Sequence, residues 1–134
     1  MPFFSTRLRA PLLCLALLAA AVSGCAGPGA NTEEKNRLAV TCTLGAQCDL
    51  YWKRALAWVT QNSIYPVKAA TGWAILTENP NDYQSGLSYR ITRWPRDDGN
   101  QDIVFVASCS VFLPCSPLPA AAFVKFSEFV AAPQ

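Results

Sequence analysis

Asp102-Ile-Val-Phe-Val-Ala-Ser-Cys109 is the most apolar short run of the chain beyond its first quarter, and the fold is read outward from it. Its β-branched and aromatic residues make it a buried strand and the central strand of a sheet. Just upstream, Asp98-Gly99 is a hairpin signal. Before that hairpin, Leu87-Ser-Tyr-Arg-Ile-Thr-Arg93 alternates, so Leu87, Tyr89 and Ile91 face the core and Ser88, Arg90 and Thr92 face solvent. Gly72-Trp-Ala-Ile-Leu-Thr-Glu78 is a further strand, with Trp73, Ile75 and Thr77 on one face. It is followed by the turn signal Asn79-Pro-Asn-Asp82.

Two helices flank this group. Asp49 stands at an N-cap position ahead of Leu50-Tyr-Trp-Lys-Arg-Ala-Leu-Ala-Trp-Val-Thr-Gln61. There Tyr51, Ala55, Trp58, Val59 and Asn62 fall at helical spacing, Trp52 and Leu56 widen the apolar face, and Lys53 and Arg54 point elsewhere. Tyr65-Pro66 closes that helix, because the residue before a proline avoids helical angles. Ser116-Pro-Leu-Pro119 opens the second helix, whose buried stripe is Ala122, Phe123, Phe126, Phe129 and Val130. A short strand, Arg37-Leu-Ala-Val-Thr-Cys42, comes first. The expected fold is therefore α+β: a small antiparallel sheet of about four strands with two helices packed on one face, in the order β-α-β-β-β-α. A weak internal echo joins the two ends. Val40-Thr-Cys42 and Ala107-Ser-Cys109 each end a strand, each precedes a second cysteine at the same spacing, and each leads into an apolar helix.

Ahead of the domain lies Leu12-Leu-Cys-Leu-Ala-Leu-Leu-Ala-Ala-Ala-Val22, preceded by Arg7 and Arg9. It is short of the roughly 20 residues that span a bilayer and suits the core of a signal peptide. No acid occurs before Glu33, so the arginines hold the amino end on the cytoplasmic side, while small Ser23 and Gly24 leave the backbone open to a peptidase. Val22-Ser23-Gly24-Cys25 resembles the lipobox of bacterial lipoproteins, with Val22 where that family prefers Leu. The resemblance implies a diacylglycerol on the Cys25 thiol, cleavage just before it and acylation of the new amino end. Several acyl chains together give stable attachment where one does not. A plain secretory signal with an incidental Cys25, or an uncleaved anchor, are the rival readings. Ala26 stands where enterobacterial lipoproteins carry the Asp of inner-membrane retention, which implies sorting to the outer membrane. The expected organisation is a signal peptide over 1–24, a flexible tether over 25–36 and one α+β domain over 37–134.

The precursor has 11 Lys and Arg against 9 Asp and Glu; without Arg7 and Arg9 the basic count falls to the acidic one. A near-neutral mature chain argues against nucleic acid as a partner, since phosphate binding needs a basic excess. Of the 6 cysteines, Cys14 leaves with the signal and Cys25 carries lipid, so Cys42, Cys48, Cys109 and Cys115 remain. In an oxidising envelope they are expected to form two disulfides. A zinc site is the rival, but zinc ligands usually stand about two to four residues apart and the chain has no His. The repeated spacing favours local bridges, Cys42 with Cys48 and Cys109 with Cys115. Crossed pairing stays open if the strands carrying Cys42 and Cys109 lie side by side.

No residue pattern carries a catalytic set. Without His, Ser-His, Cys-His and His-metal arrangements are excluded. Asp98-Gly-Asn-Gln-Asp102 begins like a calcium loop but has Ile103 and Cys109 where that loop needs Gly and Glu. Glu78 and Asp82 flank a turn, which explains them without pairing. Among the tryptophans, Trp58 and Trp73 are expected in the core, and Trp94, beside Arg93 and Pro95, is the candidate for an exposed binding ring. The expected protein is a non-enzymatic outer-membrane lipoprotein with no metal or cofactor beyond the lipid on Cys25. It is anchored in the membrane, its domain faces the periplasm, and it binds another envelope protein. A peptidoglycan- or carbohydrate-binding lipoprotein using Trp94 and Arg93 is the alternative, and a small carboxylate hydrolase the weaker third.

Overall fold

A computed structural model of the chain describes residues 38–133. Cys25 and the segments expected to be signal peptide and tether lie outside the described residues. The elements are β1 (Ala39–Thr43), α1 (Ala46–Asn62), β2 (Val67–Ala70), β3 (Ala74–Thr77), β4 (Ser88–Pro95), β5 (Asn100–Ser108) and α2 (Pro119–Val130). All pairings are antiparallel, and the 5-stranded sheet runs β1-β5-β4-β3-β2.

The α+β class holds, but the strand count and order differ from the expectation. The unexpected strand is β2, Val67-Lys-Ala-Ala70. It is too short and too rich in alanine to carry a strand signal of its own, and it forms only as an edge on β3, with a register shift between Val67 and Ala69. Its addition moves the middle of the sheet to β4. β5, expected at the centre, lies between β1 and β4 instead.

Alternation along the strands sends Val40 and Cys42, Ile75, Tyr89 and Ile91, and Ile103 and Phe105 to one face. Both helices pack there: Cys48, Ala55, Trp58 and Val59 of α1 and Ala122, Phe126 and Val130 of α2 complete the buried cluster. Trp58 is its pivot. Its ring meets Tyr89, Phe105 and Phe126 edge-on at centroid distances of 5.3, 6.0 and 5.4 Å. One aromatic each from α1, β4, β5 and α2 thus locks helices to sheet in the T-shaped geometry that ring quadrupoles favour. Burial also pushes the Tyr89 phenol up, because the phenolate loses its hydration there.

Local chemistry sets the element ends. The β4–β5 loop is a tight turn: the Gly99 N–H donates to the Arg96 carbonyl (3.4 Å) and the Arg96 N–H to the Asn100 carbonyl (2.9 Å), with Gly99 at φ 80°. Helix α1 begins earlier than expected. Gly45, at φ 105°, occupies the N-cap position, and Asp49 lies in the first turn rather than capping it. The ring closed by Cys42 and Cys48 makes the earlier start possible, with the Thr43 N–H donating to Gln47 Oε1 at 2.7 Å. Asn62, expected on the buried face, is exposed and donates to the Trp58 carbonyl at 2.9 Å. Phe129 is 40% exposed, since the buried row of α2 follows Ala122, Phe126 and Val130.

Arg54 also departs from expectation. Its guanidinium donates to the carbonyls of Val130 (3.1 Å) and Ala132 (2.6 Å), so a side chain of α1 satisfies the carboxyl end of α2. A cation belongs there, where the helix dipole is negative and the last carbonyls lack partners.

Candidate binding surface

Among the described residues, no element packs over the face of the sheet turned away from the helices. Thr41 of β1, Asp102, Val104 and Val106 of β5, Arg90, Thr92 and Trp94 of β4, and Leu76 of β3 share it by register. At the hairpin end the Thr41 hydroxyl donates to Asp102 Oδ1 at 2.8 Å. Arg96 reaches both Asp102 oxygens at 3.4 Å and pairs with Asp98 at 3.3 Å. Two carboxylates therefore meet, but across a guanidinium. The backbone N–H of Asn100, donating to Asp98 Oδ1 at 3.0 Å, holds that carboxyl below its usual range, with Arg96 adding to the effect. A group held in its ionised form at neutral pH is suited to ion pairing rather than proton donation.

Toward the other end, a depression of about 260 Å³ is walled by Lys68, Leu76, Arg90, Val106, Ser88 and Ser108, among others. Lys68 and Arg90 are exposed, and among the described residues neither forms an ion pair. The open face thus carries cations over a partly apolar floor at one end and an aromatic ring beside a salt-bridge network at the other.

Trp94 is 51% exposed on this face, and its ring N–H donates to Thr92 Oγ1 at 2.9 Å, which lays the indole along the strand. Arg93 is not beside it. As the next residue along β4 it points to the helix side, where it donates to Gln101 Oε1 (2.8 and 3.1 Å) and to Asp49 (3.2 Å). Its guanidinium also sits 5.4 Å from the Trp52 ring centroid. Arg93 therefore ties the first turn of α1 to β4 and β5, and Arg93 and Trp94 do not make one surface.

Trp73, expected in the core, is 67% exposed. The Thr71 hydroxyl accepts the N–H groups of Trp73 (3.4 Å) and Ala74 (3.0 Å), forming a turn that delays β3 to Ala74 and leaves the indole outside. Sequence reasoning missed it because Trp73 keeps the alternation of Ile75 and Thr77. Thr71-Gly72 ahead of it was the available turn signal.

The four cysteines are paired locally, with Cα–Cα separations of 5.2 Å for Cys42–Cys48 and 5.5 Å for Cys109–Cys115. Asp98–Asp102, the calcium-like stretch, is the hairpin described above. Asp82 accepts the Ser110 hydroxyl at 3.4 Å, and Glu78 is exposed. Among the described residues no group of three or more His, Cys, Asp or Glu is placed to hold a metal ion, and no helix is long and apolar enough to cross a membrane. Comparison with known proteins finds no matching family model, and no match among curated proteins or solved structures.

Proposed function

We propose that the chain is an outer-membrane lipoprotein, lipidated at Cys25, whose domain is a non-enzymatic module that binds another envelope protein through the open face of its sheet. One observation carries this reading: the helices cover a single face, and the other presents Arg90 and Lys68 around Leu76 and Val106, with Trp94 exposed toward the hairpin end. Exposed arginine and tryptophan are residue types that protein interfaces concentrate at their energetic centres. The lipid holds this face near the membrane, where its partner is met without diffusion through the whole compartment.

Crosslinking the lipidated chain in its native envelope tests the proposal. A specific adduct is expected from the wild type and from Lys125→Glu on the outside of α2, and its loss from Arg90→Glu. Identical adducts from all three chains would remove the open face from consideration. A second reading, favoured by the Trp94 indole alone, is a glycan-binding lipoprotein in which a sugar ring stacks on that side chain. Tryptophan emission that does not respond to cell-wall fragments would end it.

A further inference from the structure

The geometry points to one end of the sheet, opposite the β4–β5 hairpin, as a surface that lies on the lipid bilayer. Three connections meet there, 63–66, 78–87 and 109–118. They are tied together by the Ser116 N–H donating to the Ser85 carbonyl (3.0 Å), the Ser110 hydroxyl to Asp82 (3.4 Å) and the Tyr65 hydroxyl to the Gln84 carbonyl (3.4 Å). Their tips are apolar and uncovered among the described residues: Tyr83 is 92% exposed, Val111 88%, Phe112 72% and Leu118 66%. Glu78 and Asp82 are the charged residues of the three connections, and Glu78 is exposed where β3 ends. The opposite end also exposes Trp73 and Trp94, but it places Arg96, Asp97 and Asp98 beside them. The connections at the apolar end are therefore the less densely charged, where hydrophobicity alone does not separate the two ends.

The direction of β1 supplies the second argument. Ala39 pairs with Val104 and the Leu38 carbonyl accepts the Phe105 N–H at 2.8 Å, so the chain comes into the sheet from the side of Ser108, the apolar end. From Val104 to Ser108 is about 14 Å along a strand. The stretch from Cys25 to Leu38 reaches at most about 45 Å. A lipid on Cys25 thus holds the apolar end toward the bilayer and within reach of it, and the inference rests on that lipid being present. Exposed aromatic and aliphatic side chains at such a surface settle about 5–10 Å into the interface between headgroups and acyl chains. The sheet then stands upright on the membrane, with its open face turned sideways.

The test uses the full lipidated chain carrying Phe112→Trp, reconstituted in vesicles whose acyl chains are brominated near the headgroup. The introduced indole is expected to lose most of its emission, while the native tryptophans keep theirs, since Trp73 and Trp94 lie at the far end. An introduced indole that stays bright in protein that floats with the vesicles overturns the docking and leaves the anchor standing. Protein whose amino end carries no lipid by mass spectrometry overturns both. An indole unquenched by bromolipid but shifted to the blue on adding solubilised envelope proteins assigns this end to a protein, and one that shifts with its own concentration in detergent assigns it to a second copy. Either result overturns the proposal.

Discussion

At the first disulfide corner, Cys42 in β1 is joined to Cys48 in the opening turn of α1, and the two residues are 2% and 0% exposed. At the second, Cys109 just beyond β5 is joined to Cys115 in the loop ahead of α2, and both are half-buried. Each bridge closes the same sequence separation of 6, so the loop-entropy argument assigns them equal stabilisation, about 2 kcal/mol. What differs is the surroundings. The first ring carries Gly45 at positive φ, the Gln47 bond to Thr43 and the Leu44 N–H donating to the Gly99 carbonyl at 3.3 Å. Its sulfurs belong to the hydrophobic cluster. The second ring holds Val111 and Phe112 out of the fold. Cys109 and Cys115 pack against the same cluster from its margin, so the first bridge acts as a core side chain and the second as a staple with a smaller share of packing.

The largest expected effect separates two phenylalanines. Phe126→Ala, at a fully buried ring 4.9 Å from Phe105, should cost about 3–5 kcal/mol in urea denaturation. Phe112→Ala in the second corner should stay within about 0.5 kcal/mol of wild type. Next come the bridges. Cys42→Ala with Cys48→Ala should cost about 3 kcal/mol, loop entropy plus lost packing, against about 2 kcal/mol for Cys109→Ala with Cys115→Ala. Equal losses would erase the distinction drawn between the corners.

Arg54→Met should cost about 1–2 kcal/mol, by removing two charged hydrogen bonds from the carboxyl end of α2. Amide exchange should then quicken over the last turn of α2 while α1 is unchanged. The smallest effect is electrostatic. Asp98 has its folded pKa depressed below 3.8, so its contribution is present above that value and fades as pH falls through the folded pKa. Asp98→Asn should flatten that part of the acid unfolding curve, measured by circular dichroism.

The legible parts of the fold were those written in local periodicity. The core faces of α1 and β4, the Asp98-Gly99 hairpin and the local pairing of the cysteines all follow from neighbours in the chain. β2 was not legible because Val67-Lys-Ala-Ala70 becomes a strand only when β3 offers it an edge. Asp49 read as a cap because nothing local shows that the cysteine ring and Gly45 start the helix earlier. The roles of Arg54 and Arg93 depend on carbonyls and carboxylates far away in sequence, so Arg54 was placed only off the apolar face of its helix and Arg93 was grouped with Trp94 as a binding pair. Of the candidate surface, Trp94 was visible and Arg90 was assigned to the outer face. Their placement on one open face, and the departure of Arg93 from it, came from strand register, while Lys68 joins Arg90 as a wall of the same depression.

The pairing of β1 with β5 bears on the order of assembly. Strands β2 to β5 form a meander whose partners follow one another along the chain, whereas Ala39 must find Val104 across the whole intervening sequence. Closing so long a loop carries the greatest entropic cost of any contact in the sheet. The Cys42–Cys48 bridge couples this edge strand covalently to the opening turn of α1, so strand and helix are tied by a bond as well as by the sheet.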